Sequence, residues 1–191
     1  MRYYMAMFLL LSLTLGCDGD GPLKPGEFED PAFKACVEKT INSMVENDLV
    51  SRDDPELYNK INMIGCGGGA IRSIKGIENI PNIDWFGASD NQIESLEPLR
   101  TLTKLEFLKL SNNKIKDLEP LSGLPVLGAL FISENYVANI SPLYAIPSLN
   151  SLSVWGNCIT DLSQFDELKK ENPDINLAGD SAEEQTPEKC Q

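Results

Sequence analysis

The residues with the greatest chemical capacity in this chain of 191 are five cysteines and 29 carboxylates; histidine is absent. Without an imidazole there is no Ser-His-Asp or Cys-His relay and no His-ligated metal site. Cys17, Cys36, Cys66, Cys158 and Cys190 include no CxxC spacing, which argues against zinc and thiol-redox chemistry. Asp84 and Glu106 lie 22 residues apart and resemble an acid/base pair, but nothing around them suggests a cleft. The preferred reading of that pair is a solvated acidic strip. The run Gly65-Cys66-Gly67-Gly68-Gly69-Ala70 has no phosphate-loop spacing and no helix after it, so nucleotide binding is a poor reading. Its glycines are expected to let a terminal cap approach the first strand closely. The residues therefore predict a non-enzymatic protein with no catalytic group, no metal and no cofactor. The formal net charge of −13 also argues against nucleic-acid binding through phosphates and against electrostatic adhesion to anionic lipid.

What positions these groups is a period. Asn91, Asn113, Asn135 and Asn157 are spaced by 22 residues. Two residues after each comes an aliphatic: Ile93, Ile115, Val137, Ile159. Further columns keep step, such as Ile64, Phe86, Leu108, Leu130, Leu152 and Cys66, Ala88, Leu110, Ile132, Val154. A fixed period of this length marks a solenoid whose turns stack on their neighbours. Each LxL segment is a short strand with its marked residues pointing into the core. Each buried Asn amide needs backbone partners, so the Asn column reads as structural.

The unit Leu105 to Val126, LEFLKLSNNKIKDLEPLSGLPV, resembles the 22-residue bacterial leucine-rich repeat of the internalins. The resemblance covers Ile61 to about Leu177. It implies an α/β fold: a right-handed leucine-rich repeat solenoid with a curved parallel sheet, a convex side of short or 3-10 helices, and an N-terminal helical cap. Two units depart from the pattern. Gly67, Gly68 and Gly69 replace polar residues in the first, and Gln164 replaces the Pro of Pro98, Pro120 and Pro142 in the last. The next strand, Ile175 and Leu177, is expected one residue late.

Flanking segments complete the organisation. Residues 1–16 carry one charge, Arg2, then an apolar run too short for a stable membrane span, which reads as a signal peptide. Gly16-Cys17 resembles a bacterial lipoprotein cleavage site, although Thr14 stands where Leu is usual. That resemblance implies lipidation at Cys17, a membrane anchor there, and a place in the bacterial cell envelope facing the periplasm or the cell surface. An ordinary secretory signal with Cys17 incidental is the alternative. Asp18 after the Cys resembles an inner-membrane retention signal, and either membrane stays open. Residues 17–30 form a polar tether. Residues 31–60 form the cap, beginning with a helix from Pro31 to Asn47 that has Asp30 as N-cap and Phe33, Val37, Ile41, Met44 and Val45 on its apolar face. Residues 61–178 hold about five repeats, and residues 179–191 a polar tail.

An exported chain meets oxidising conditions. Setting Cys17 aside leaves four cysteines and three possible pairings. Repeat geometry favours Cys36–Cys66, stapling cap to first turn, and Cys158–Cys190, fastening the tail.

The face opposite the core is the informative one. Residues alternating with the buried positions form outward columns, and four large aromatics run diagonally across them: Trp85, Phe107, Phe131 and Trp155, with Tyr136 a little further on. Gly and Ser surround them. Aromatics of this kind are enriched at binding hot spots. Packing flat on one another, or cover by cap or tail, is the bland reading of the same residues. The function expected is protein–protein interaction: a lipid-anchored monomer binding a protein or peptide through its concave face. An envelope-structural or glycan-binding role for the same aromatics is the alternative.

Overall fold

The computed structural model describes residues 27–190. The signal segment 1–16, Cys17 and most of the tether lie outside the described residues. Six three-residue strands, β1 (Met63–Gly65), β2 (Trp85–Gly87), β3 (Phe107–Lys109), β4 (Ala129–Phe131), β5 (Ser151–Ser153) and β6 (Asn176–Ala178), form one parallel sheet in sequence order. Between β1 and β5 each strand pairs with the next at an offset of 22 residues, as in Ile64↔Phe86 and Phe86↔Leu108. The central residue of each of those strands is buried, and the columns from Ile61 to Leu168 join in one continuous core. This is the leucine-rich repeat solenoid.

The chain returns along the convex side through 3-10 turns at Ile77–Asn79, Glu97–Leu99, Glu119–Leu121 and Ser141–Ala145. Pro98, Pro120 and Pro142 stand in the first turn of three of these, where a missing N–H costs nothing. The last return differs: it is an α-helix, α2 (Ser163–Glu171). An α-helix advances about 1.5 Å per residue against about 2.0 Å for a 3-10 turn, so the same crossing takes more chain. Leu152 accordingly pairs with Leu177, three residues beyond the regular offset. The one-residue delay expected from sequence is corrected to three. Gln164 at the missing Pro position bonds back to the preceding turn: its Oε1 accepts from the Ile140 amide at 2.8 Å, and its Nε2 donates to the Ala138 carbonyl at 3.2 Å.

Helix α1 (Pro31–Glu46) closes the N-terminal end. Phe33, Val37 and Ile41, spaced by four, put one buried stripe against the first turn. Asp30 does two jobs. One carboxylate oxygen accepts from the Ala32 and Phe33 amides and caps the helix; the other accepts from Arg72 and Ser73 at 2.7 and 3.2 Å and ties the cap to the first repeat. Partial burial works to raise the Asp30 pKa, but the four N–H donors outweigh it and hold the carboxyl below its ordinary value.

The Asn ladder lies inside. Asn135 is fully buried. Its Nδ2 donates to the Leu110 and Ile132 carbonyls at 3.0 and 2.9 Å, and its Oδ1 accepts from the Ile115 amide at 3.0 Å. Asn91, Asn113 and Asn157 repeat the pattern one turn apart. Each amide thus bridges two turns where the backbone leaves its strand and has no ladder partner of its own.

Candidate recognition face

The outward columns follow from strand alternation: Met63, Trp85, Phe107, Ala129, Ser151 in one row and Gly65, Gly87, Lys109, Phe131, Ser153 in the next. Three of the aromatics meet. Trp85 and Phe107 stack with ring centroids 5.6 Å apart and planes 12° from parallel, and Phe107 and Phe131 follow at 5.2 Å with a 33° tilt. Offset-stacked pairs at these separations contribute about 0.5–1.5 kcal/mol beyond area burial. The row is continuous, and each of its three residues is partly buried.

Glycine makes the row possible. A Cβ at Gly87 would lie 2.5 Å from the far edge of the Trp85 indole, and one at Gly65 would lie 3.6 Å from the same ring. The indole therefore rests on bare backbone of its own strand and the previous one. Gly65 also meets the cap: the Cys36 sulfur of α1 lies 3.3 Å from the Gly65 carbonyl, and Cys36 is bonded to Cys66 beside it. A hollow of about 290 Å³ flanks this contact, lined by Ala32, Ala35, Lys39, Gly67 and Gly69. Gly65 thus serves both the cap and the ring on the sheet face.

Trp155 and Tyr136 stand apart from the row. Trp155 is 45% exposed and lies on the next diagonal step; the hydroxyls of Ser133 and Ser153, bonded at 2.8 Å, occupy the positions between it and Phe131. Tyr136 is on a different surface. It precedes a buried ladder aliphatic and looks out from the rim, where the Lys189 ammonium sits 5.4 Å over its ring. There it lines an open hollow of about 490 Å³ with Lys114, Lys116, Ala138 and the tail. Met63, 55% exposed at the cap end of the first outward row, and Leu49, 67% exposed beside it, extend the apolar surface. The exposure of Leu49 has no period-based signal, since it precedes the first repeat.

Two disulfides fasten the ends. Cys36 and Cys66 join α1 to the first turn with Cα atoms 5.6 Å apart, and Cys158 and Cys190 join the last ladder turn to the tail at 6.0 Å. The tail also supplies a residue that sequence reasoning missed. Counting on from Leu177, the ladder slot falls on Ala182, which has no amide. Gln185 fills the vacancy: its Nε2 donates to Val154 and Gly179 carbonyls, and its Oε1 accepts from the Ile159 amide. Gly179 begins this turn at φ +93°, pressed so closely on the Trp155 backbone that no side chain fits.

Carboxylates frame the aromatic row. Asp84 and Glu106 are neighbours at the entry to β2 and β3, where both the Glu106 and Phe107 amides donate to the Asp84 carbonyl at 2.9 and 3.0 Å. The Asp84 carboxylate accepts from Asn62 at 3.1 Å. Asp90 and Glu134 stand on the opposite border, in left-handed turns at φ 60° and 56°. Among the described residues no three Cys, Asp or Glu side chains gather as a metal site.

A sheet of short parallel strands, a ladder of buried amides and a capped end make up a leucine-rich repeat fold. Residues 81–123 match the sequence pattern of leucine-rich repeats in two copies. Among solved structures, an internalin, InlF, from Listeria monocytogenes is similar over 78% of this chain and 49% of its own, at 24% identity and a TM-score of 0.60. A leucine-rich repeat protein from Leptospira interrogans is similar over 65% of this chain and 33% of its own, at 20% identity and a TM-score of 0.57. The chain thus spans about half and a third of the lengths of these structures, and the likeness is one of fold. No curated protein matches. The solenoid class serves chiefly in protein–protein interaction and is typically non-enzymatic.

Proposed function

We propose that this chain is a non-enzymatic interaction module that captures a protein or peptide on its concave face. The observation carrying this reading is the continuous Trp85–Phe107–Phe131 row, partly exposed and continued by exposed Met63 and Trp155. The core needs none of these rings, because the buried columns are complete without them. Large, stiff aromatic groups bind with little entropy loss and supply interface anchors. The test is capture from envelope extract by the mature protein and by a Trp85→Ala/Phe131→Ala variant. Far-ultraviolet circular dichroism should be nearly unchanged in the variant while capture is lost; capture by a folded variant would sink the proposal.

The run of neighbouring aromatic rings favours one other reading, in which the rings pack on sugar faces and the protein holds envelope glycan. Binding to purified peptidoglycan fragments that depends on Phe107 would favour it over a protein partner.

The proposal includes a lipid anchor at Cys17 and a monomer in the bacterial envelope, supported by the apolar run before Gly16-Cys17. The expressed protein should enter the detergent phase on partition, and Cys17→Ser should return it to water. A mature N-terminal peptide carrying an unmodified thiol would rule the anchor out.

A further inference from the structure

We infer that the partner segment is basic: an extended stretch whose Arg or Lys side chains lie over the aromatic row and reach the carboxylates bordering it. This rests on the concave-face reading above and adds the chemistry of what is bound. The row is edged on one side by Asp84 and Glu106 and on the other by Asp90 and Glu134. Glu134 is held by Lys189 at 3.1 Å. Asp84, Glu106 and Asp90 belong to none of the ion pairs among the described residues, which otherwise lie on the cap, the convex side and the tail. Within the two strand rows Lys109 is the one cation, standing between Gly87 and Phe131.

The arrangement suits a cation in two ways. Phe131 ends the stack, with Phe107 as its one ring partner among the described residues, and a guanidinium or ammonium on its other face is drawn by the ring's negative quadrupole. A carboxylate bordering the row can take a cationic group's N–H donors, in a planar fork for Arg. An extended chain carries alternate residues on one side, so an Arg-Thr repeat turns every Arg toward the row. The overall charge of −13 adds long-range attraction for a basic partner and repels an acidic one.

The test uses the mature chain and three synthetic ten-residue peptides, (Arg-Thr)5, (Gln-Thr)5 and (Glu-Thr)5, followed by calorimetry and by tryptophan emission. The Arg peptide should bind and shift the emission, with affinity falling as salt rises, and the Gln and Glu peptides should not. Asp84→Asn/Glu106→Gln should weaken the Arg peptide about fivefold, and Lys109→Gln should tighten it about twofold. Glu46→Gln/Asp53→Asn, which removes equal charge from the cap, should leave the affinity unchanged. Equal loss in the cap and face variants would overturn the inference by reducing it to bulk charge. Equal binding of the Gln and Arg peptides, with both lost in Phe131→Ala, would overturn the basic partner and leave the concave-face reading standing. Binding of the Arg peptide that ignores Phe131→Ala would overturn both.

Discussion

The indole of Trp85 lies on Gly87, two residues along its own strand, where a Cβ would come within 2.5 Å of the ring. The glycine is thus the seat of the first ring in the stack. Gly87→Ala should leave the solenoid folded, because the far edge of the indole can swing away more cheaply than backbone can move. It should break the Trp85–Phe107 stack. Near-ultraviolet circular dichroism and tryptophan emission should change while the far-ultraviolet spectrum holds, and partner capture should fall. An unchanged near-ultraviolet spectrum would show that the ring does not rest there.

The amide ladder should dominate stability. Asn135→Ala removes the donor to Leu110 and Ile132 and the acceptor for Ile115, all fully buried. Leaving such groups without partners costs about 1–3 kcal/mol apiece, so a loss of about 3 kcal/mol or more is expected in urea unfolding. Gln185→Ala should cost less, about 1–2 kcal/mol. Its effect should concentrate in the tail, as faster amide exchange at Gly156 and Thr186, which donate to the carbonyls of Glu184 and Asn157.

The disulfides close loops of similar length, with sequence separations of 30 and 32. Loop-closure entropy assigns each about 3.5 kcal/mol. Replacing Cys36 and Cys66 by Ser should loosen α1, and replacing Cys158 and Cys190 should free the tail, each read by hydrogen exchange at its own end. Titration of the unfolded mature protein should find none of these four thiols free.

Asp30 links acid stability to the cap. Its folded pKa lies below the ordinary value, so its contribution is fully present above the unfolded pKa of about 3.9 and is lost as pH falls through the folded value. Asp30→Ala should destabilise by about 1–2 kcal/mol at neutral pH and by progressively less below about pH 4. A cost equal at pH 7 and pH 2.5 would show that the charge of the carboxylate is not what matters.

Much of the fold was legible because a 22-residue period is self-checking. Leu108, Leu130 and Leu152 repeat in one column, and each fixes the facing of the residues around it. The failures came where the repeat ends. Helix α2 lengthened the last crossing by three residues, and Gln185 supplied an amide from outside the pattern. Neither carries a periodic signal, since terminal turns are shaped by what covers them. The site was legible only as a set of positions. Spacing could place Trp85, Phe107 and Phe131 outside, but it could not distinguish exposed rings from stacked ones.

The sequence by itself determined register: which side chains face the core, which amides stand in the ladder, and which aromatics share an outer surface. Register is set by chain length per turn, and the chain length is written in the residues. The tertiary structure alone decided that Trp85 folds down over Gly65 and Gly87, that Phe107 and Phe131 continue its stack, and that Tyr136 turns to the rim beneath Lys189. A ring's resting place depends on its neighbours across strands and on the room a missing Cβ leaves, and those are facts of packing.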